Sequence, residues 1–210
     1  MALIMYLNRA PRYKDTTIKD IMLIESYFAW QHENEIKSQY SCDSFEKWCG
    51  TPDNELPDMA IIEYYKQFYT KKDMYTEYIG KTSVYSILEQ LARIVKNNQA
   101  FNWFIHNVMD NNINEEYYEV SKAQFEELLN TCNKVKDSFE LSETGGYPYI
   151  VNEDVAKELF PLLEQRGYFF GLDQYNGRYA EQIIELIEII ENILETTDFE
   201  TQMIYFNASW

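Results

Sequence analysis

The chain has 210 residues, 46% hydrophobic and 25% charged, with a formal net charge of −17. That length and balance suit one generous domain or two small ones with a real apolar core. The charge excludes unassisted binding of DNA or RNA, because Lys and Arg contacts to phosphate supply most of that affinity.

The opening ALIMYL is a short apolar run ahead of Pro11 and reads as a strand. Thr16 or Thr17 then caps a long helix through IKDIMLIESYFAWQHENEIKSQY, with Ile21, Ile24, Phe28 and Ile36 near helical spacing. SFEKWC, opened by Ser44 and closed by Gly50 and Pro52, reads as a short second helix. NELPDMAIIEYYKQFYT reads as a third, with Pro57 in its first turn. KKDMYTEYIGKTS follows as a linker or irregular hairpin. From Ser83, SVYSILEQLARIVKNNQAFNWFIHNVM runs without Gly or Pro. It reads as one buried central helix, apolar on most sides.

YYEVS reads as a short strand that leads into a cap at Ser121 and an amphipathic helix, KAQFEELLNTCNKVKDSF. SETGGYPY is a turn or loop. NEDVAKELFPLLEQ is helical, capped by Asn152 and interrupted at Pro161. The last helix, RYAEQIIELIEIIENILETTD, carries an apolar face of Ile183, Ile184, Ile187, Ile190 and Leu194. Glu181, Glu185, Glu188, Glu191 and Glu195 form an acidic stripe along it. MIYF is a final strand. The expectation is therefore a mainly helical α+β domain, six or seven helices packed on a small sheet of about three short strands. Residues 1–210 are read as a single domain, with an N-terminal subdomain over 1–80 and a core over 83–210 as a subdivision.

Charge is unevenly spread. Residues 1–100 carry 14 acids against 12 bases, whereas residues 151–210 carry 12 against 3. The acidic second half either serves solubility or attracts a basic protein groove, with Glu181, Glu185 and Glu188 as partner-binding residues. His32, His106, Cys42, Cys49 and Cys132 lack the spacing of a zinc site, and an odd cysteine count fits a reducing cytoplasm. No run approaches the ~20 apolar residues of a membrane helix. MALIMYLNRAPRYK lacks the layout of a secretion signal. The usual phosphate-binding, dinucleotide-binding and serine-nucleophile motifs are absent. His106 reads as a polar exit from the core, and Glu115, Glu116 and Glu119 straddle a loop and a strand rather than converging on a cation. No catalytic residue, metal ligand or cofactor is assigned.

The richest stretch is RGYFFGLDQYNGRY, residues 166–179, with five rings, two arginines and three glycines. Rings beside guanidiniums suit a planar anion such as a nucleotide base with its phosphate. Arg166, Tyr168, Phe170, Asp173, Tyr175, Arg178 and Tyr179 are its candidate ligand-binding residues. A plainer reading has Asp173 pair with an arginine and brace a tight turn. Both stay open at this point.

LEQLARIVKNNQAFNWFIHNV, YEVSKAQFEELLNTCNKV, LFPLLEQRGYFFGLDQYNGRYAEQIIELIEII and the terminal IYFNASW resemble, in order and spacing, a family of small uncharacterised proteins of tailed bacteriophages. The resemblance runs from about residue 83 to the end, roughly two thirds of the chain. It implies a genomic setting, since the family has no established activity. The family pattern aromatic–Arg–Lys–x–Asn–x–x–His–x–Trp–Phe is matched here at Lys96, Asn98, Trp103 and Phe104, while Phe101 stands where the family has histidine. That replacement argues against a histidine-based enzyme. Lys96, Asn98 and Trp103 join the candidate binding surface.

The expected function is a non-enzymatic phage protein acting in the host cytoplasm, in counter-defence. It would capture a nucleotide-like ligand or block a host or defence protein, the latter by acidic mimicry of nucleic acid. A hydrolase or transferase with Asp173 as base, a virion assembly factor and a homo-oligomeric state are the alternatives.

Overall fold

The computed structural model describes residues 2–36, 44–45, 57–76, 80–143, 146–163, 170–171 and 174–210. Among them the fold is α+β, with six helices and eight strands in three sheets. The strand content is larger than the three short strands expected. Most of the helix expected at SFEKWC lies outside the described residues, as do Cys42 and Cys49.

The chain divides into two compact units. Unit 1 comprises Met1–Asn8, Leu91–Phe199 and Met203–Trp210, and unit 2 comprises Arg9–Gln90 and Glu200–Gln202.

In unit 2 the helix α1 (Ile18–Glu35) opens on a capping box. The Thr17 hydroxyl accepts from the Asp20 amide and the Asp20 carboxylate accepts from the Thr17 amide. Ile21, Ile24 and Phe28 recur on its buried face. The helix α2 (Met59–Lys66) is capped by Asp58, whose carboxylate accepts from the Ala60 amide at 2.8 Å. Pro57 therefore stands ahead of the cap rather than in the first turn.

The strands β2 (Thr70–Thr76) and β3 (Gly80–Ser86) form a regular antiparallel hairpin, Thr70 opposite Ser86 and Thr76 opposite Gly80. The turn after β3 is held by one carboxylate. Glu25 Oε1 accepts from the Ser86 hydroxyl at 2.5 Å, from the Leu88 amide at 3.1 Å and from the Ile87 amide. Around these elements run ring pairs, among them Tyr27 with Phe45, Phe28 with Tyr69, and Tyr13 stacked on Tyr64 at 3.9 Å.

The larger sheet has the order β4–β1–β8–β5, with β1 spanning Ile4–Pro11, β4 Glu89–Val95, β5 Tyr118–Val120 and β8 Gln202–Ser209. Within unit 1, Leu3, Met5 and Leu7 alternate into a core that also takes Ile204, Phe206 and Ala208. The helix α3 (Asn98–Asn107) is buried along Asn98–Ile105, and Phe104 stacks on Phe206 at 4.0 Å. The helix α4 (Lys122–Lys136) starts at a capping box between Ser121 and Gln124, and contributes Phe125, Leu128, Cys132 and Val135 to the core. The strands β6 (Glu140–Leu141) and β7 (Tyr149–Ile150) make a small antiparallel pair. The helix α5 (Glu153–Leu159) is capped by Asn152 and stops before Pro161. The helix α6 (Gly177–Thr196) packs on α4 and buries Ile183, Leu186, Ile187, Ile190 and Ile193 in the core.

The expected central helix from Ser83 to Met109 is three elements: β3, β4 and α3. Leu, Glu, Gln, Ala and Arg favour a helix locally, but by less than a kcal/mol each. The hydrogen bonds and burial that β4 gains beside β1 outweigh that preference. The break is sharp at Lys96, in the left-handed region at φ 54°, and Asn97 caps α3 by accepting from the Ala100 amide at 3.1 Å.

Replacing Glu25 with Ala strips three donors of their acceptor. We expect a loss of about 2–3 kcal/mol in urea denaturation, and a smaller loss for Glu25→Gln, which keeps one acceptor oxygen. A Glu25→Ala loss under about 0.5 kcal/mol would contradict this role.

Candidate functional site

Asn97, Asn98, Gln99 and Asn102 occupy the start of α3, and all four are buried although each is polar. Buried amides require partners, and here the partners are the chain around Pro161 and the start of α6. Asn98 Oδ1 accepts from the Leu163 amide at 2.5 Å, and Asn102 Nδ2 donates to the Pro161 carbonyl at 3.1 Å. Gln99 Nε2 donates to Gln182 Oε1 at 3.0 Å, and Gln182 Nε2 donates to the Lys96 carbonyl at 3.2 Å. Gly171, at φ 106°, lies against the same carbonyl so closely that a Cβ would collide with it.

Of the candidate residues in the 166–179 stretch, Phe170, Tyr175, Arg178 and Tyr179 are described. Arg166, Tyr168 and Asp173 lie outside the described residues. Phe170 is half-buried, with its ring 6.2 Å from Phe101 and 6.4 Å from Trp210. The Tyr175 hydroxyl accepts from the Leu162 amide at 2.9 Å, and the Tyr175 ring lies 5.1 Å from that of Tyr179. Tyr179 is fully buried and donates to the Phe160 carbonyl at 2.9 Å. Burial pushes its phenol well above the ordinary tyrosine value. Trp103 is likewise buried, edge-on to Phe104. Trp103 and Tyr179 thus lie in the unit 1 core with Phe170 and Tyr175 packed against it, while Asn98 bonds to the chain at Leu163 and the Lys96 carbonyl to α6.

Arg178 is different, because its side chain is 41% exposed. It sits at the start of α6, where Asn176 Oδ1 accepts from the amides of Arg178 and Tyr179. Its Nη1 donates to Glu181 at 3.0 Å and to Glu185 at 3.1 Å. The stripe beyond it, at Glu185, Glu188, Glu191 and Glu195, faces solvent, and α6 has no basic residue in its last turn. Lys157 lies 5.8 Å above the Tyr175 ring.

His106 is exposed and its Nδ1 lies 2.5 Å from Asn111 Oδ1. Burial pushes the Cys132 thiol far up, which removes it as a nucleophile. Among the described residues no group of three or more His, Cys, Asp or Glu side chains could hold a metal ion, and no helix is long and apolar enough to cross a membrane.

Unit 2 holds a cavity that no sequence motif signals, lined by Arg9, Tyr64, Phe68, Lys72, Ile87 and Glu89 among others. Its residues come from four distant segments, so no local spacing marks them. No protein-family model matches the chain, and neither a curated protein nor a solved structure matches it.

Gly171→Ala forces a left-handed φ on a residue with a side chain and drives its Cβ at the Lys96 carbonyl. We expect a loss of at least about 2 kcal/mol by urea denaturation, while an unchanged midpoint would show that this contact gives way freely.

Proposed function

We propose that the protein is a non-enzymatic binding protein whose acidic α6 face docks on a basic protein. In the setting implied by the phage-family resemblance, that partner belongs to the host or its defence, and the encounter takes place in the host cytoplasm. The observation that carries this reading is the pairing of Arg178 with Glu181 and Glu185. The cation that opens the helix is absorbed into the stripe, and the three glutamates beyond that pair, Glu188, Glu191 and Glu195, present carboxylates to solvent without a base among them. At three- and four-residue intervals these repel by a few tenths of a kcal/mol per pair. A basic groove would relieve that repulsion and be steered by it.

The test is salt-sensitive association with a basic host protein, expected to weaken at least tenfold when Glu185 and Glu188 are both changed to Lys. Association of the double variant at wild-type strength would overturn the proposal. The double variant is expected to fold within about 1 kcal/mol of wild type, because loss of the exposed Arg178–Glu185 pair is offset by attraction of the two lysines to Glu181 and Glu191.

A second reading, capture of a nucleotide-like ligand, is favoured by the half-exposed Tyr175 ring near α6, approached by Lys157, with the exposed Arg178 at the helix start. Ligand-induced thermal stabilisation is expected to vanish in Arg178→Ala. The absence of stabilisation by any nucleotide would end this reading.

A further inference from the structure

Along β2 the side chains alternate: Lys71 and Asp73 are exposed, whereas Lys72 and Met74 are half-buried. Strand period therefore turns an ammonium inward, where an apolar residue would be the ordinary choice. Its stem reaches a cavity of about 240 Å³ within unit 2. There Lys72 Nζ donates to the Ile87 carbonyl at 2.6 Å, which leaves two of its three N–H donors for another acceptor. Burial draws the Lys72 ammonium below its ordinary value, while Glu89 and Glu25 pull it back up and Arg9 lowers it.

Arg9 lines the same cavity, with its side chain only 16% exposed, and it grips Glu89 Oε2 through Nε at 3.2 Å and Nη2 at 2.8 Å. The carboxylate of Glu25 lies outside the lining and accepts from the turn at Ser86–Leu88, while its charge still acts on Lys72. The lining itself thus brings two cations, Lys72 and Arg9, together with the Glu89 carboxylate in a chain of net charge −17.

The remaining lining combines the polar Thr201 and Gln202 with an apolar side of Ala10, Pro11, Ile87 and two rings. The rings of Tyr64 and Phe68 lie 5.3 Å apart, and Tyr64 is fixed from behind by stacking on Tyr13 at 3.9 Å. Ile87 is buried beside them. The volume is below the usual range for enclosing a drug-sized molecule, which points to a small ligand.

We propose that this cavity binds a small organic anion, with a carboxylate or phosphate head on Lys72 and Arg9 and a flat body against Tyr64 and Phe68. The head supplies the acceptor that the inward ammonium lacks, and Glu89 acts as an internal competitor that holds Arg9 until the anion arrives. The site is independent of the α6 face and of the 166–179 stretch.

Benzoate and phenyl phosphate, titrated calorimetrically into the full chain, separate the two head groups, with phenol and inorganic phosphate as the body-only and head-only controls. At least one of the two ring anions is expected to saturate one site, about tenfold or more tighter than either control. Lys72→Met keeps the stem and removes the charge, and is expected to weaken binding about tenfold or more, the scale of one charge-assisted hydrogen bond. Glu89→Gln removes the competitor and is expected to tighten binding, which keeps the proposal open to refutation even if the Lys72 variant folds poorly. No saturable binding of either ring anion, phenol binding as tightly as both, wild-type affinity in Lys72→Met, or no gain in Glu89→Gln would each overturn it.

Discussion

A buried side-chain amide must find a hydrogen-bond partner or cost about 1–3 kcal/mol, and that requirement organises unit 1. Gln99 and Gln182 come from helices far apart in the chain, yet each is nearly inaccessible and they bond to one another. Around them Asn98 and Asn102 take backbone groups of Leu163 and Pro161, and Gln182 takes the carbonyl of Lys96. A hydrophobic surface tolerates sliding, whereas these bonds do not. They set the register between the start of α3, the chain leaving α5 and the start of α6. The apolar packing of Phe101, Phe104, Ile183 and Ile187 fills in around that frame.

Unit 2 uses one carboxylate for a comparable purpose. Glu25, on α1, gathers the hydroxyl and amides of the turn between β3 and β4. Its charge strengthens those bonds, since an ionised acceptor is roughly twice as strong as a neutral one. The Tyr65 hydroxyl, pushed up to about 12 chiefly by burial, donates to the Pro11 carbonyl at 2.9 Å and ties α2 to the end of β1. With the turn held by Glu25 and a strand facing Lys72 inward, unit 2 carries cations into a cavity of a very acidic protein.

Charge, then, is arranged rather than merely abundant. Glutamates line the outer face of α6 and absorb Arg178, while Arg9 and Lys72 converge where rings provide a wall. The two kinds of recognition proposed for them differ. One works at the surface, through long-range attraction that salt screens. The other works at close range, where partial burial raises the worth of each hydrogen bond. Neither requires a nucleophile or a general base.

Much of the local structure was legible from residue order alone. Thr17, Ser121 and Asn152 act as caps because their side chains accept amide bonds from the turn that follows, a purely local interaction. The final helix follows from apolar periodicity, and the first and last strands from short apolar runs, for the same reason. Residues 83–95 were not legible, because their helix preference is small and the pairing of β4 beside β1 is remote in sequence. The AsnAsn pair at 97–98 was the available signal that a helix starts there rather than continues. The 166–179 stretch stood out by composition, but composition is silent on direction. Only the tertiary structure sends Tyr179 into the core, hands Arg178 to two glutamates and brings Arg9 to the cavity that Lys72 enters. Caps and periodicity act over one helical turn and are written in the sequence; the partners of buried polar groups are chosen across the whole chain, by whichever segments the core brings within hydrogen-bond reach.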